Sequence, residues 1–349
     1  MPIEKYSFAD ITENKMLNIW GQYLSRSPLQ LNKMHESDAE LFLIGGDKVI
    51  AATIDTIVEE ITLGFYADPE TIGWMAATVS LSDLAAVAAQ PLGIVPSVCL
   101  PAKDTENFQR GIATGLEAAC RHAGTFVLGG DTNQGEQASI SCCAIGLTEK
   151  TKVRTRMGIK SGDVIFSTGK FGEGNALAAA KLLGLNDLYS EKDFRPIARL
   201  REARIICEFA TAVMDTSDGL IGCLDQLSRL NQVGIEIATP IEDLVRSKAL
   251  KVAHALSAPP LVMLAADHGE FELVFSIPSQ KQEEFVRTCQ STELNPVMIG
   301  KATDINNGIR LSSGRGSLAL DTTKLRNLWT DCKGNISLYL ETLIKLCSG

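Results

Sequence analysis

The sequence predicts an α/β (α+β) protein built from two domains. Helical and strand-like apolar periods alternate along the chain, which is typical of that class. The length of 349 residues corresponds to two domains at about 150 residues each. The order of strand, turn and helix also restarts after a polar stretch at residues 148–162. With 45% hydrophobic residues the chain can build a full core, which excludes a disordered chain or a small disulfide-stapled fold.

The first half of the chain is predicted to form a mixed sheet with helices. The apolar runs Leu41–Ile44 and Val49–Ile54 flank Gly45-Gly46-Asp47, which is a turn signal, so they predict a hairpin. Asp68 is a suitable cap for the helix that follows, because Pro69 stands at its first position. The predicted elements from here on are a helix over Pro69–Ala89, a strand over Leu92–Leu100, a helix over Thr105–Ala123, and strands over Thr125–Leu128 and Ala138–Leu147.

The second half is predicted to be a separate α/β domain, with domains at residues 1–158 and 159–349. A glycine-rich turn at Gly169–Gly174 follows its first strand. The predicted elements are strands over Val164–Ser167, Ala212–Met214, Phe271–Ile277 and Val297–Gly300, helices over Asn175–Leu183 and Ile197–Ala210, a helix after Ser217-Asp218-Gly219, and an irregular C-terminal end.

Charge and cysteine usage indicate a soluble cytoplasmic protein. The formal net charge is −9, whereas a nucleic-acid-binding protein normally has a basic face, so no nucleic-acid partner is expected. The nine cysteines contain no C-x-x-C pair, which argues against a zinc site or a disulfide framework. No apolar run approaches the length of about 18 residues that a membrane helix needs, and no secretory signal pattern is found, so no membrane association is expected.

The common phosphate-binding and hydrolase motifs are absent. Gly169-Lys170 is followed by Phe171, where a Walker loop requires Ser or Thr. Gly172-x-Gly174 lacks the third glycine of a dinucleotide-binding fingerprint. No G-x-S-x-G or H-E-x-x-H string occurs, so serine-hydrolase and zinc chemistry are disfavoured.

An Asp-Thr pair recurs instead at the ends of apolar strands. It is found at Asp55-Thr56, Asp131-Thr132 and Asp215-Thr216, and further aspartates stand at Asp83 and Asp218. Each aspartate alone could cap a helix or form a turn. Because the pair repeats in both halves, the set favours a site for Mg²⁺, which prefers oxygen ligands and is often shared with substrate phosphates. Mg²⁺ ions would also neutralise carboxylates that otherwise repel one another.

These strings, taken in order, resemble the thiamine-monophosphate kinase family. That family belongs to a superfamily that includes aminoimidazole ribonucleotide synthetase (the PurM-like fold), selenophosphate synthetase and the hydrogenase maturation protein HypE. The resemblance spans about Ser37 to Gly300. It is carried by Thr53-Ile54-Asp55-Thr56, Ser80-Leu81-Ser82-Asp83, Gly129-Gly130-Asp131-Thr132, Arg156-Met157-Gly158, Ser167-Thr168-Gly169, Met214-Asp215-Thr216-Ser217-Asp218-Gly219 and Glu270-Phe271-Glu272-Leu273.

The resemblance implies a two-domain protein that forms a homodimer through its N-terminal sheet, with ATP and Mg²⁺ near the interface. Phosphoryl transfer depends on positioning and charge neutralisation, so the missing Ser/His nucleophile is consistent with it. The residues that would bind metal are Asp38, Asp55, Asp83, Asp131, Asp215 and Asp218. Those that would contact ATP are Gly130, Asp131, Arg156 and Ser217.

The substrate side departs from the family pattern. The N-terminal Gly-Asp-Asp-Ala motif reads Glu36-Ser37-Asp38-Ala39, which removes one carboxylate, and Thr62 stands in place of the substrate-side histidine. The Gly-Gly-Glu-Asp-Tyr-Glu-Leu motif reads Asp267-His268-Gly269-Glu270-Phe271-Glu272-Leu273. Thr62, His268 and Glu270 are therefore the candidates for contact with a small-molecule substrate.

Three functions stay open at this point. The first is an ATP-dependent, Mg²⁺-requiring kinase acting on thiamine monophosphate. The second is a related kinase or ATP-dependent synthetase acting on a different small molecule, for example in secondary metabolism. The third is a degenerate homologue that binds nucleotide without turnover.

Overall fold

The computed structural model describes residues 7–102, 106–292, 294–313 and 316–348. Two mixed sheets organise these residues, one in each half of the chain. The α/β class and the presence of two sheet-based halves confirm the sequence prediction. Thr105, the predicted first residue of one helix, lies outside the described residues.

The first half contains a five-stranded sheet in the order β1-β2-β5-β3-β4. The predicted hairpin is formed by antiparallel β1 and β2, with Leu43 opposite Val49. The elements of this half are α1 (Thr12–Tyr23), β1 (Glu40–Gly45), β2 (Lys48–Ile57), α2 (Glu59–Thr62), α3 (Pro69–Ala86), β3 (Gln90–Leu100), α4 (Glu106–Ala123), β4 (Asp131–Gln134) and β5 (Ser139–Glu149).

Helices α3 and α4 cover one face of this sheet. Asp68 caps α3 by accepting the Thr71 N–H at 2.9 Å, as predicted. The two helices cross so closely that a Cβ on Gly73 would lie 2.0 Å from the carbonyl oxygen of Ile112. Only glycine fits there, and the contact fixes α3 between the sheet and α4. Residues along α3 are buried on nearly every side, so this helix is a rigid carrier for the polar residues near its end.

The second half contains a seven-stranded sheet in the order β12-β11-β8-β10-β6-β9-β7. Its central strands are buried on both faces, as in a sheet covered by helices. The elements are β6 (Val164–Ser167), α5 (Glu173–Leu183), α6 (Leu200–Ile206), β7 (Ala212–Asp215), α7 (Gly219–Asn231), β8 (Val233–Ile237), α8 (Ile241–Leu244), α9 (Ser247–Ala255), α10 (Val262–Ala265), β9 (Leu273–Ile277), α11 (Gln282–Gln290), β10 (Val297–Asp304), β11 (Ile309–Ser313), β12 (Gly316–Ala319), α12 (Thr322–Asp331) and α13 (Ile336–Cys347).

Three local predictions were wrong. The C-terminal end is not irregular, because α12 and α13 bury Leu325, Leu328 and Leu343 at helical spacing. The predicted strand at 125–128 makes only an isolated bridge between Val127 and Ile94. The predicted helix at 197–210 is limited to the seven residues of α6, since Pro196 and the loop before it follow the surface of α3.

The N-terminal helix packs on the second half of the chain. Asn14 on α1 donates to Gln226 on α7 at 3.2 Å, and Thr12 donates its N–H to Asn327 on α12 at 2.9 Å. Residues 7–23 therefore contact the helices of the C-terminal sheet, although they precede the first sheet in the chain. All nine cysteines are free thiols. None of the helices in the described residues is both long and apolar enough to span a bilayer.

Candidate active site

Three aspartates from distant parts of the chain converge between the two sheets. One carboxylate oxygen from each of Asp38, Asp83 and Asp215 lies within 4.8 Å of the others. Asp38 precedes β1, Asp83 is near the end of α3, and Asp215 is the last residue of β7. The sequence predicted all three as metal ligands, and the fold brings them together.

Hydrogen bonds fix the orientation of this cluster. Ser82 donates its hydroxyl to Asp215 Oδ2 at 2.6 Å, which links the two halves of the chain. Thr53 on β2 donates its hydroxyl to Asp83 Oδ2. The backbone N–H of Asp215 points to Asp38 Oδ1 at 3.4 Å. The carboxylates are therefore positioned by both sheets before any ligand binds.

The cluster is short of positive charge. Burial, and next the charge of Asp38, raises the pKa of Asp215 to about 7. Burial, together with the charges of Asp55 and Asp215, places the pKa of Asp83 well above its ordinary value. The pKa of Asp55 is also raised, mainly by burial. Buried carboxylates with raised pKa values form a site that a divalent cation would stabilise.

Arg156 supplies the nearest positive charge. Its Nη2 donates to Asp38 Oδ1 at 3.0 Å, and both side chains are largely buried. Burial disfavours the charged guanidinium, but the carboxylates of Asp38, Asp83 and Asp215 together outweigh that cost, so the pKa of Arg156 lies above its ordinary value. One guanidinium cannot neutralise the whole cluster, and its Nε has no partner within the described residues.

Orphaned oxygen atoms show that the site fits a metal ion. Asp38 Oδ2 and Asp55 Oδ2 are buried and accept no hydrogen bond from the described residues. A buried acceptor without a donor costs about 1–3 kcal/mol or more. Mg²⁺ prefers oxygen ligands of this type, so the residues present fit the ion that the sequence suggested.

Asp218 lies at the edge of this cluster. It precedes the first residue of α7, and its carboxylate is 3.6 Å from Nη1 of Arg326 on α12. Arg326 also contacts Glu13 on α1 at 3.1 Å. The carboxylate of Asp218 therefore already faces a guanidinium, as that of Asp38 does, whereas Asp83 and Asp215 make no ion pair with any described residue.

Asp131 and Gly130 lie apart from the three converging aspartates. Asp131 begins the exposed edge strand β4, and its carboxylate accepts from Asn133 at 2.6 Å. Strands β5 and β3 separate it from β2, which corresponds to about 14 Å at about 4.8 Å per strand. A Cβ on Gly130 would lie 2.4 Å from the carbonyl oxygen of Pro96, so β4 approaches β3 there without room for a side chain. Ser217 is exposed between Asp215 and Asp218.

A second feature is an apolar cavity of about 200 Å³, lined in part by Glu59 and Glu60, which follow the strand β2 that carries Asp55. The aromatic rings of Trp329 and Tyr339 meet edge to face, with centroids 5.4 Å apart. Trp329 Nε1 donates to Glu59 at 3.0 Å, whereas Glu60 Oε2 is buried without a partner among the described residues. The lining comes from α2, α5, α10, α12 and α13 and the 266–268 loop. The lining of the cavity therefore contains both aromatic rings and carboxylate side chains.

The three candidate substrate residues have different surroundings. His268 lines the cavity, and its Nε2 pairs with the Tyr66 hydroxyl at 3.1 Å; burial lowers its pKa to about 4, so the ring is neutral. Glu270 is buried and accepts the N–H groups of Gly172 and Gly174 at 2.8 and 3.3 Å. Thr62 is exposed and donates its hydroxyl to the carbonyl of Val58 at 2.7 Å.

Sequence reasoning missed the cavity residues of the C-terminal helices. Trp329 and Tyr339 lie in the part of the chain that is predicted to be an irregular end, although the apolar spacing of Leu325, Leu328 and Leu343 is helical. That spacing is the signal that could have found them. The roles of Ser82 and Thr53 depend on contacts across the fold, which no local pattern encodes.

Comparisons with known proteins agree with this geometry. The family descriptions "AIR synthase related protein, N-terminal domain" and "AIR synthase related protein, C-terminal domain" match residues 36–148 and 160–310. A thiamine-monophosphate kinase of Archaeoglobus fulgidus is 33% identical over 67% of this chain and 75% of its own length. One of Pyrococcus abyssi is 28% identical over 94% of this chain and 98% of its own length.

A solved structure shares the fold. The structure described as AaThiL complexed with AMPPCP and TMP has a TM-score of 0.71 and 24% identity, and the match covers 86% of this chain and 93% of the other. Since both AIR synthase-related domains are matched in order and a relative reaches 33% identity over three quarters of its length, the chain belongs to the thiamine-monophosphate kinase family of AIR synthase-related proteins.

Proposed function

We propose that this chain transfers the γ-phosphoryl group of ATP to thiamine monophosphate, giving ADP and thiamine diphosphate. The observation that carries the proposal is the convergence of Asp38, Asp83 and Asp215 beside Arg156, in a chain that also has an aromatic, acidic cavity. Relatives of this chain carry the name thiamine-monophosphate kinase, and membership of that family supports the same acceptor.

Mg²⁺ is the cofactor that the carboxylates suit. Asp38, Asp83 and Asp215 would bind it, with Asp55 beside them, and Asp131 and Asp218 would extend the site. Bound there, Mg²⁺ would neutralise the phosphate oxygens of ATP and the buried carboxylates together. Gly130 and Ser217 would contact the nucleotide.

The side chains around the cluster would position the phosphates of ATP and the carboxylates for transfer. Arg156 presents a planar guanidinium whose Nε is free of any described partner, so it can pair with a phosphate oxygen as charge moves during transfer. Ser82 and Thr53 fix the two carboxylates that face it. The attacking group is a phosphate oxygen of the acceptor, which is ionised at neutral pH, so no side-chain base is required.

The cavity suits a cationic aromatic acceptor. Trp329, Tyr339 and Phe65 offer aromatic faces, and a ring cation is attracted to such faces. The buried Glu60 Oε2 lacks a donor among the described residues, and an amino group on the acceptor would supply one. The thiazolium and aminopyrimidine rings of thiamine monophosphate meet both requirements. His268 lines the same cavity as a neutral polar contact.

The exposed face of the N-terminal sheet supports a homodimer. Ile54 on β2 and Val95 on β3 both stand opposite Cys143 on β5, so they form a row across the face away from α3. Phe126 and Leu128 extend this apolar face and are 71% and 58% exposed. A contiguous apolar face of this kind marks an interaction surface. We assign dimerisation to the domain at residues 1–158 and the remaining sheet to the domain at 159–349.

A single substitution tests the dimer. Ile54→Arg is expected to convert a dimer into a monomer in light scattering coupled to gel filtration. Leu183→Arg, at an exposed apolar position on α5, is the matched control and should leave the mass unchanged. An Ile54→Arg protein with the mass of the wild type would contradict the proposal.

A different acceptor is the second candidate function. It is favoured by Thr62, whose hydroxyl is occupied by the Val58 carbonyl and which replaces the histidine of the family motif. A binding protein without turnover is the third reading. A reaction that consumes ATP needs a compartment that supplies ATP, which supports the expected cytoplasmic location.

An ADP-release assay separates the three functions. It would compare thiamine monophosphate with a panel of small phosphorylated and amine acceptors, with Asp83→Asn as the blank. Release with thiamine monophosphate alone supports the proposal, and release only with another acceptor selects the second function. If none of the acceptors gives ADP release, while a Mg²⁺-dependent titration still shows that nucleotide binds, the third function is selected.

A further inference from the structure

A second, larger cleft lies between the two halves of the chain, and its lining includes none of the aspartates of the cluster. Its volume is about 1020 Å³, and it is lined at one end by Lys48, the first residue of β2. Asp55 is seven residues further along the same strand. At about 3.3 Å per residue the two positions are about 23 Å apart, so the wall of the cleft that carries Lys48 lies well away from the proposed catalytic site.

The lining of this cleft is basic, although the chain as a whole has a net charge of −9. Five permanently cationic side chains line it against two acidic ones, a local excess of three positive charges. The acidic ones are Glu149 and Glu202, and the cationic ones are Lys48, Arg121, Lys152, Arg201 and Arg204.

Three of these cations are available to a ligand. Lys152 is paired with Glu149 at 3.3 Å, and Arg121 with Glu117 at 2.9 Å. Glu202 is occupied by Arg199 at 3.3 Å. Lys48, Arg201 and Arg204 are exposed and make no ion pair with any residue that the structure describes. They come from both halves of the chain, and their charges converge on one space.

The two walls of the cleft are fixed relative to each other. The guanidinium carbon of Arg195 lies 3.9 Å from the ring centre of Trp74 on α3. Trp74 Nε1 donates to the Pro196 carbonyl at 2.7 Å, and its ring lies 5.8 Å from that of His122 on α4. The segment that leads into α6 is thereby attached to α3 and α4. The cleft is formed before any ligand arrives, which reduces the entropy cost of binding.

The floor of the cleft is apolar. Pro91 and Ile205 contribute to it, and the full apolar set is Ala88, Ala89, Pro91, Ala123, Leu147, Ile197, Ala198, Leu200, Ala203, Ile205 and Leu294. An apolar floor below a cationic rim matches a ligand with a flat organic body and a chain of phosphates. Preformed clefts at domain boundaries are common ligand sites.

We propose that this cleft binds an organic di- or triphosphate of nucleotide size, at a site independent of catalysis. The phosphates contact Lys48, Arg201 and Arg204, and the organic body lies on the apolar floor. The same chemistry is present in adenine nucleotides and in thiamine diphosphate. The proposal stands whether or not thiamine monophosphate is the acceptor, because it uses none of the residues at the aspartate cluster.

Calorimetric titration in EDTA tests the proposal. Without metal ions the carboxylates of the aspartate cluster repel polyphosphates, so binding reports other sites. The probes are ADP, thiamine diphosphate and inorganic tripolyphosphate, each titrated into the full-length wild type. The test variant is Arg201→Glu with Arg204→Glu, and both positions are exposed. The control is Arg287→Glu with Lys324→Glu, which makes the same charge change at exposed positions outside the cleft.

The expected result has two parts. ADP or thiamine diphosphate binds the wild type with one site per chain and more tightly than tripolyphosphate, and the tighter of the two identifies the organic body. The Arg201/Arg204 variant binds about tenfold or more weakly, a loss of about 1.4 kcal/mol, whereas the control changes little. The proposal is overturned by equal affinity in the test variant and wild type, by tripolyphosphate binding as tightly as both organic probes, or by no binding.

Discussion

Arg156 and Asp38 form a buried ion pair, with Nη2 of the arginine 3.0 Å from Oδ1 of the aspartate. Asp38 belongs to the carboxylate cluster, and Arg156 follows the last strand of the N-terminal sheet. The pair therefore joins the segment before the first strand to the segment between the two sheets. It also supplies a positive charge at the place where we propose that phosphates bind.

Removing the guanidinium should destabilise the metal-free protein. Arg156→Ala leaves Asp38 buried without its partner, which costs about 3–5 kcal/mol for a buried pair. Mg²⁺ should restore more stability in this variant than in the wild type, because the ion replaces the lost charge. Thermal unfolding with and without Mg²⁺ measures both effects. Arg156→Lys is the control, and a Mg²⁺ response equal to that of the wild type in Arg156→Ala would contradict the account.

Replacing the Asp83 carboxylate by a neutral amide should have opposite effects on stability and on ATP binding. Asp83→Asn removes a carboxylate whose pKa burial places well above its ordinary value, so the metal-free protein should gain about 1 kcal/mol. The Mg²⁺-dependent binding of ATP should be lost, as measured by titration with a non-hydrolysable ATP analogue. Asp187→Asn, at an exposed position, should change neither quantity. Retained Mg²⁺-dependent binding in Asp83→Asn would remove this residue from the metal site.

Asp131 offers a test at an exposed position. Because it lies on the edge strand β4, Asp131→Asn should change the free energy of unfolding by no more than about 0.5 kcal/mol. We expect it to abolish Mg²⁺-dependent ATP binding. Equal ATP affinity in the variant and the wild type would show that the nucleotide does not reach β4.

The aromatic cavity should control the acceptor and not the nucleotide. Trp329→Leu removes a ring that faces the cavity and frees Glu59, so the KM for thiamine monophosphate should rise about tenfold or more. The KM for ATP should stay close to that of the wild type. Trp20→Leu, at an exposed position on α1, is the matched control. A parallel rise in both KM values would indicate a general structural effect.

Glu270 should make stability depend on pH. Burial raises its pKa from about 4.5 to about 8 in the folded protein, so the folded state binds the extra proton between these values. Stability from this group is therefore lost as pH rises from about 5 to 8, by on the order of 3 kcal/mol. Glu270→Gln keeps an oxygen acceptor for the Gly172 and Gly174 N–H groups and does not titrate.

Urea unfolding at several pH values measures this effect. The difference in free energy of unfolding between the wild type and Glu270→Gln should shift in favour of the variant as pH rises. Other titrating groups are the same in both proteins and cancel. A difference that is constant between pH 5 and 8 would show that Glu270 ionises normally.

The sequence predicted the parts of the site that depend on local pattern. Asp55 and Asp215 were found because an Asp-Thr pair at the end of an apolar strand is visible in the chain. Their neighbours Ser82 and Thr53 were not assigned a role, because a hydrogen bond from α3 to β7 is set by the packing of the two sheets. Local sequence pattern predicts the type of residue and the helix or strand that carries it. The hydrogen-bond partner of that residue is determined by tertiary packing.

Errors in the fold have a similar origin. The strand predicted at 125–128 has the right apolar residues, but it pairs with β3 only through Val127 and therefore makes a single bridge. The C-terminal helices were missed although their spacing is helical, and with them Trp329 and Tyr339 of the cavity. The basic cleft could not be seen in the sequence, because Lys48 and Arg201 are more than 150 residues apart.

The most direct test of the account is to follow the phosphorus atoms. Phosphorus NMR of the full-length protein with ATP, Mg²⁺ and thiamine monophosphate reports each phosphate separately. We predict that the monophosphate signal is replaced by the two signals of thiamine diphosphate as ATP becomes ADP, and that Asp83→Asn produces neither change. ATP consumption that leaves thiamine monophosphate intact, or conversion that persists in Asp83→Asn, would contradict the central claim.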